Sequence, residues 1–231
     1  MSTKMDNAIC LVTKSPSAGL FKGLADHEIP VICAAAAKQT FEASQIIIFA
    51  DEPAVRLFVI QAGSVDYYVG ANDGREILLG RLVPGDAFGF ATFLTEPIGY
   101  FGTAKAVLKT EAVVWEHPVA RQLAVNYPRL AENALHAALL YIAISTKRHM
   151  RLVSDTAPER VAYALTSLGS RAGHVLPGGV EVDIRNKDLA SLADVGFFTL
   201  SHILGAWDQQ KVVSKSRGKV LIRCPEKMLA A

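Results

Sequence analysis

The C-terminal part of the 231-residue chain is rich in side chains that can contact phosphate. From Arg185 to the end there are eight lysine and arginine residues and four carboxylates, whereas the net charge of the whole chain is only +2. A local cationic surface of this kind fits contact with a nucleic-acid backbone. A solvated basic face is the commoner explanation of such a cluster. The secondary structure that carries these residues is therefore needed to distinguish nucleic-acid contact from a solvated face.

The three cysteines, Cys10, Cys33 and Cys224, are too far apart to form a metal-ligand motif. An odd number of thiols also argues against a disulfide framework. An iron–sulfur cluster normally needs about four cysteine thiolates, which one chain with these cysteines does not supply. No nucleophile and base occur at a catalytic spacing either. We therefore expect no metal site, no iron–sulfur cluster and no enzyme activity.

The stretch 189–207 has the pattern of two short helices that cross. Leu189, Ala190 and Ala193 form the inner face of the first helix, and Val195 packs in the turn. The inner face of the second helix consists of Leu200, Ile203, Leu204 and Trp207. The small side chain of Ala190 allows a close crossing at a steep angle, so the stretch predicts a helix-turn-helix.

A β-hairpin is predicted directly after these two helices. Two apolar segments, 212–213 and 220–222, enclose the polar run 214–219. The basic residues of that run are Lys215, Arg217 and Lys219. Such a hairpin forms a wing with a cationic tip, which is typical of a surface that contacts phosphates.

Residues 40–116 consist of short β-prone segments separated by turn signals. The segments are 46–49, 57–60, 65–69, 77–79, 104–107 and 112–115, with Phe41 in a further one. Asn72-Asp73-Gly74 is a hairpin signal, because Asp-Gly accepts the positive φ of such turns. Many short strands at nearly even spacing predict a β-barrel or a sandwich. The preceding segment, about 20–37, is predicted to be a helix that caps it.

From Pro118 the apolar residues follow a helical period. One stripe consists of Leu130, Ala134, Ala137, Tyr141 and Ile144, and another consists of Leu135, Ala138, Ile142 and Ser145. A helix that is apolar on two sides must be covered on both. The barrel can cover one side, and the coiled-coil spacing indicates that a second copy of the helix covers the other. The residues that we expect at the dimer interface are Leu130, Ala134, Leu135, Ala138, Tyr141 and Ile142. A helix buried within a single domain is the alternative.

The basic residues Lys147, Arg148 and Arg151 are interpreted as the point where this helix returns to solvent. Thr156-Ala-Pro-Glu159 is a capping box that starts a new helical unit. We therefore divide the chain into a barrel domain over 1–117, a long dimerisation helix over 118–153 and a C-terminal domain over 154–231.

No nearly uncharged stretch approaches the ~20 apolar residues that span a bilayer. The N-terminal residues also lack the apolar core of a signal peptide. We therefore expect a cytoplasmic protein that has no membrane partner.

In their order and spacing, these segments resemble the Crp/Fnr family of bacterial regulators over roughly residues 18–225. The motifs that carry the resemblance are Leu20-Phe21-Lys22-Gly23-Leu24, Gly63-Ser64-Val65, Asp73-Gly74-Arg75-Glu76, Pro84-Gly85-Asp86-Ala87-Phe88-Gly89 and Ala157-Pro158-Glu159-Arg160. The resemblance implies an α+β protein with an N-terminal jelly-roll barrel of the cyclic-nucleotide-binding type, a long dimerisation helix and a C-terminal winged helix-turn-helix. It further implies an effector-sensing homodimer that binds double-stranded DNA and contacts RNA polymerase.

The loop that holds the effector in this family departs from its usual residues. Members that bind cyclic AMP have Gly-Glu and, about a dozen residues later, Arg-Ser/Thr-Ala; the Glu binds the ribose and the Arg pairs with the phosphate. Here Phe90 follows Gly89, and Gly102 precedes Thr103. Because both polar anchors are missing, we expect that cyclic AMP is not the effector. The resemblance places the effector pocket at Phe88, Gly89, Phe90, Phe93, Thr103 and Ala104.

The side chains around this loop are apolar and aromatic, which leaves two interpretations open. Either the pocket binds an apolar ligand such as haem, or the aromatic side chains fill the barrel and nothing binds. Haem needs an axial ligand, for which four histidines are candidates by residue type alone. They are His27, His117, His136 and His149.

The family's reading helix commonly presents Arg-Glu-Thr-Val-Ser-Arg, whose Arg and Glu contact base edges. This chain has Phe197-Phe198-Thr199-Leu200-Ser201-His202 instead, and Asp194 stands where a turn glycine is common. The resemblance places Phe197, Phe198, Thr199, Ser201 and His202 in the DNA groove. It places Lys187, Lys215, Arg217 and Lys219 on the phosphate backbone.

The two phenylalanines leave two functions open. They can pack on thymine methyl groups of an operator that differs from the family's usual half-site. Alternatively, the two rings are buried by a protein partner or in an inactive conformation. With a protein partner, the chain is a sensor and interaction module whose DNA binding is weakened or altered.

Overall fold

The computed structural model of the protein describes residues 19–71, 74 and 76–228. They belong to two compact units. The N-terminal unit extends to Glu76 and includes Gly80–Ala143, and the C-terminal unit includes Ile77–Leu79 and the chain from Ile144 onward. This division falls inside a long helix, and the domain limits at 117 and 153 remain a prediction. Cys10, Asn72, Asp73 and Arg75 lie outside the described residues.

Within the described chain, eight short strands in the first half form two four-stranded sheets. In chain order they are β1 (Ala37–Phe41), β2 (Ile46–Ile48), β3 (Arg56–Ala62), β4 (Val65–Gly70), β5 (Glu76–Leu82), β6 (Ala87–Phe88), β7 (Thr103–Ala106) and β8 (Thr110–Glu116). One sheet has the order β1-β8-β3-β6 and the other has the order β2-β7-β4-β5. The predicted barrel of short strands is confirmed, with β6 as a strand that the sequence did not indicate.

Alternate residues of β3 face opposite sides of its sheet. Phe58 and Ile60 belong to an interior cluster with residues of both sheets, whereas Leu57 and Val59 belong to an outer cluster with the helices. The interior cluster comprises Phe41, Ile47, Ile48, Ala54, Phe58, Ile60, Val65, Phe88, Tyr100, Ala104, Ala106, Ala112 and Val114. The outer cluster comprises Leu20, Phe21, Ile29, Ile32, Leu57, Val59, Phe93, Val113, Trp115, Ala120, Leu123, Leu130 and Ala134.

The helix predicted over 20–37 is shorter in the structure. A 3-10 turn over Gly19–Phe21 precedes helix α1 (Glu28–Ala34). Gly23 separates the two because its φ of 74° cannot continue a right-handed helix. The Glu28 carboxylate accepts a hydrogen bond from the amide of Ala25 at 2.8 Å, which fixes the start of α1.

The long helix predicted over 118–153 is interrupted. Helix α2 (His117–Asn126) is followed by helix α3 (Pro128–Ser154). Between them, Tyr127 has φ −129° and ψ 77°. Proline has no amide to donate and disfavours helical backbone at the residue before it, so the chain breaks at Tyr127. All residues of the two predicted stripes lie in α3.

The C-terminal unit contains helices and one four-stranded sheet with the order β11-β12-β10-β9. Its elements are α4 (Ala157–Ala172), β9 (His174–Leu176), β10 (Gly179–Asp183), α5 (Asn186–Leu192), α6 (Phe197–Gln209), β11 (Val213–Ser216), β12 (Lys219–Ile222) and α7 (Pro225–Met228). The predicted capping box is present: Thr156 accepts from the Glu159 amide, and the Glu159 side chain accepts from the Thr156 amide. The predicted wing is the β11–β12 hairpin.

Among the residues that the structure describes, no single helix has the length and apolarity to cross a membrane. The bent pair of α5 and α6 meets that test by length and composition alone.

Candidate functional site

Helices α5 and α6 form a helix-turn-helix. They are bent by 103° relative to each other, within the range of about 90–120° that defines the motif. The predicted inner faces are buried, and Val195 in the turn is half-buried. The buried residues are Leu189, Ala190, Ala193, Leu200, Ile203, Leu204 and Trp207. The prediction of two crossing helices is therefore confirmed.

Two arginines hold the turn between α5 and α6. Asp194 in the turn has a left-handed backbone with a φ of 52°. Arg148, near the end of α3, donates from Nε and Nη2 to the two Asp194 carboxylate oxygens at 2.7 and 2.8 Å. Arg160 in α4 donates to the backbone oxygens of Ala193 and Asp194. Because bidentate, charge-assisted hydrogen bonds fix geometry, this clamp fixes the turn that leads into α6.

The interpretation of Arg148 and Arg151 as residues that return to solvent is thus corrected. Arg151 donates to Asp155 at 2.6 Å, and its guanidinium lies 3.8 Å from the centre of the Tyr163 ring. An aspartate at a left-handed turn position was the only sequence signal of the clamp. Its partner is 46 residues away in the chain, so the pairing needs the fold.

The outward face of α6 carries the residues predicted to lie in a DNA groove. Phe197 and Phe198 are 51% and 88% exposed, and their rings meet edge to face with centroids 6.1 Å apart. Thr199 and His202 are also exposed, and Ser201 is half-buried. The structure therefore brings all five predicted reading residues to the start of one accessible helix.

The wing carries cations beside this helix. Lys215 and Arg217 are exposed near the tip of the hairpin, where Gly218 has a φ of 76° that permits the tight turn. A Cβ built on Gly205 of α6 would lie 3.9 Å from the Lys215 ammonium, so this lysine is next to α6. Lys187 is exposed on α5. Among the described residues, none of these three cations forms an ion pair.

Lys219, the fourth cation predicted to contact phosphate, is engaged within the sheet. Its ammonium lies 2.6 Å from a Glu181 carboxylate oxygen and 3.3 Å from one of Asp183. The hydrogen bond to Glu181, followed by that to Asp183, raises the pKa of Lys219. Its charge is therefore shared with two carboxylates of β10.

The residues predicted for the dimer interface have different surroundings. Leu130 and Ala134 are buried in the outer cluster, so they are unavailable to a partner chain. The other four predicted residues, Leu135, Ala138, Tyr141 and Ile142, are exposed. The structure therefore divides the six predicted residues into a buried pair and an exposed group of four. A second copy of the chain could cover only the exposed group.

The residues predicted for the effector pocket are likewise divided between the two clusters. Phe88 and Ala104 lie in the interior cluster, where Phe88 stacks on Phe58 with ring centroids 4.6 Å apart. Phe93 lies in the outer cluster, and Phe90 packs against that cluster. The four side chains are therefore divided between two packing clusters.

Gly89 causes this division. Its φ is 87°, and a Cβ there would lie 2.4 Å from the carbonyl oxygen of Arg56. The left-handed backbone starts a 3-10 helix over Phe90–Phe93, and the side chains of Phe90 and Phe93 lie on the outer side. Thr103, also predicted for the pocket, accepts a hydrogen bond from the Ala50 amide at 3.1 Å.

Gly102 stands where cyclic-AMP-binding members of the resembled family have arginine. A Cβ at this position would lie 2.4 Å from the Tyr68 carbonyl oxygen and 2.8 Å from the Tyr67 ring. Burial raises the pKa of Tyr67 to about 12, so this neighbour is a neutral phenol near pH 7. The position thus offers neither a cation nor room for one in this backbone conformation.

In the described part of the chain, no group of three or more histidine, cysteine or carboxylate residues could hold a metal ion. The candidate haem ligands His27, His136 and His149 are exposed. His117 is half-buried, and its Nδ1 lies 3.0 Å from the Thr92 carbonyl oxygen.

A barrel of two four-stranded sheets, a long helix and a winged helix-turn-helix define a class of DNA-binding regulator. A family model of the cyclic nucleotide-binding domain matches residues 38–127, and a model of the Crp-like helix-turn-helix domain matches residues 159–231. The chain belongs to the Crp/Fnr family of transcription regulators, whose members are not enzymes.

Individual relatives extend over most of the chain. A CRP-like cAMP-activated global transcriptional regulator of Mycobacterium tuberculosis is 24% identical and aligns with 91% of this chain and 95% of its own. The Cyclic AMP receptor protein of Thermus thermophilus is 29% identical over 88% of this chain and 92% of its own. The structure of FixK2 from Bradyrhizobium japonicum has a TM-score of 0.71 at 20% identity, over 84% of this chain and 95% of that one.

Proposed function

We propose that this chain is a homodimeric, effector-controlled regulator that binds double-stranded DNA in the cytoplasm and acts on RNA polymerase. Helix α6 enters the major groove, and the cations beside it contact the backbone. The observation that supports this most strongly is the exposed face of α6 together with Lys187, Lys215 and Arg217. The RNA polymerase contact rests on the family resemblance.

Removing the two wing cations tests the backbone contacts. Each phosphate contact contributes about 0.9 to the slope of log affinity against log salt concentration. For a dimer that loses Lys215 and Arg217 contacts in both subunits, the slope of K215Q/R217Q is expected to fall by about 3.6. The duplex is selected in vitro, and its affinity for each protein is measured by fluorescence anisotropy at several salt concentrations.

A matched control removes two exposed cations from the N-terminal unit. Lys38 and Lys109 are exposed there, so K38Q/K109Q lowers the net charge equally but should leave the slope unchanged. Equal slopes for the wild type and K215Q/R217Q would contradict the wing contacts. A wild-type slope near zero would contradict DNA binding itself.

We further propose that cyclic AMP is not the effector, although two of the three relatives described above are named for it. Phe90 and Gly102 occupy the places of the two polar anchors, and Phe90 packs against the outer cluster. A buried phosphate without a cationic partner would pay a desolvation cost of several kcal/mol. Titration calorimetry with cyclic AMP is therefore expected to show no binding in the micromolar range. Micromolar binding would overturn this proposal.

A further inference from the structure

The exposed aromatic pair at the start of α6, Phe197 and Phe198, does not contribute to the core of the C-terminal unit. The buried side of α6 consists of Leu200, Ile203, Leu204 and Trp207 and includes neither phenylalanine. Phe197 and Phe198 occupy the first two helical positions and contact each other edge to face. An aromatic ring that is 88% exposed gains little from burial in the fold. The pair is therefore available to a ligand.

The surroundings of the pair favour a polyanion as that ligand. The first turn of α6 contains no acidic residue, and its N-cap, Gly196, makes no side-chain hydrogen bond. The amides of this turn are thus open to an anion, and the helix dipole adds to their attraction. Lys187 and Lys215 lie exposed on the neighbouring elements. A DNA duplex fits both features of this surface. Its phosphates can contact the cations and the helix amides, and its base edges can contact the aromatic pair.

The base edges of the major groove restrict what two phenyl rings can recognise. Most groups there are hydrogen-bond donors or acceptors, and the C5-methyl of thymine is the apolar one. A phenyl ring against a polar base edge would displace water without supplying a hydrogen bond, which is unfavourable. A ring against a thymine methyl displaces water from two apolar surfaces, which is favourable.

We propose that Phe198, with Phe197 beside it, selects the operator by contact with thymine methyl groups in the major groove. The inference rests on the proposed DNA-binding function and assigns its specificity. His202 lies one turn after Phe198 on the same face of α6 and supplies the polar contact to the neighbouring base pair or phosphate. The operator half-site therefore contains thymine where this family's more polar helices read other bases.

Deoxyuridine provides a direct test, because it differs from thymidine only by the C5-methyl group of the base. A duplex is first selected in vitro with the full-length wild-type protein, and each thymine is then replaced by deoxyuridine in turn. Replacement at the contacted thymine is expected to weaken binding about fourfold per methyl group. F198A should bind the thymine and deoxyuridine duplexes equally well.

The matched control is F101A, which removes a phenyl ring that is 72% exposed in the N-terminal unit. This variant should retain the wild-type discrimination against deoxyuridine. If the wild type binds its selected duplex but tolerates deoxyuridine at every position, the methyl readout is overturned while DNA binding stands. If F198A discriminates as the wild type does, the assignment to Phe198 is overturned. Failure of the wild type to bind any duplex would instead remove the proposed function.

Discussion

L135D/I142D is expected to be a folded monomer whose affinity for a two-fold symmetric duplex is at least about a hundredfold lower than that of the wild type. Leu135 and Ile142 are 61% and 59% exposed in the single chain and lie seven positions apart in α3. A seven-residue spacing puts both on the same side of the helix, as in a coiled-coil seam. Two carboxylates buried in each helix of such an interface would repel one another and lack partners.

The expected loss of DNA affinity arises because a monomer cannot bind both half-sites of the duplex at once. In a dimer, binding of one reading helix brings the other to its half-site at a high effective concentration. A monomer lacks that advantage and binds each half-site independently. Sedimentation velocity gives the oligomeric state, and anisotropy titration on the same samples gives the affinity.

The control variant is L94D/I98D, which places two carboxylates on half-exposed apolar residues of the N-terminal unit outside α3. It should remain a dimer with the affinity of the wild type. A dimeric L135D/I142D would show that another surface holds the subunits together. Circular dichroism confirms that both variants keep their helices, so that a loss of folding is not mistaken for a loss of assembly.

The parts of the fold that follow a local period were predictable from the sequence. The alternation in β3 separates Phe58 and Ile60 from Leu57 and Val59, and the structure places the two pairs in different clusters. The inner faces of α5 and α6 follow from the helical spacing in the same way. Each of these signals depends on residues a few positions apart.

The composition of the sensor site was harder to predict, because it depends on one backbone angle. An extended chain would place Phe88 and Phe90 on the same side of a strand. The left-handed conformation of Gly89 starts a 3-10 helix instead, and the two rings enter different clusters. The motif match assigned both residues to one effector pocket but did not show that their rings enter different clusters.

The division of the dimer stripe also needed the fold. The spacing in α3 shows two apolar stripes, but it does not show where the barrel ends. In the structure Leu130 and Ala134 are covered by the outer cluster, and the helix leaves that cover by Leu135. Covered and uncovered apolar residues look alike in a sequence, since both satisfy the same period.

R81M is expected to lower the free energy of unfolding by about 3–5 kcal/mol, the largest stability effect we predict for a single substitution. Arg81 in β5 and Asp66 in β4 form an ion pair with side chains that are 7% and 6% exposed. The guanidinium donates from Nε and Nη2 to the two carboxylate oxygens at 2.7 and 3.0 Å. Methionine fills much of the same volume, but it leaves the Asp66 carboxylate buried without its cation.

Most of this loss of stability comes from leaving the Asp66 carboxylate buried without a counter-charge. The net contribution of the intact ion pair to stability is smaller. Replacing both partners removes the charge as well, so D66N/R81M should be more stable than R81M. Asparagine still offers an oxygen to the Tyr68 hydroxyl, which donates to Asp66 at 3.2 Å. Urea unfolding at one protein concentration measures both variants under the same assembly equilibrium.

R129M is the matched control, because Arg129 pairs with Glu132 on the surface of α3 with side chains 49% and 66% exposed. Water and salt screen such a pair, so its removal should cost less than about 1 kcal/mol. Equal losses in R81M and R129M would mean that the Asp66 carboxylate finds water or another donor once Arg81 is gone. If D66N/R81M proved no more stable than R81M, the loss would instead lie in the packing of the arginine stem against its neighbours.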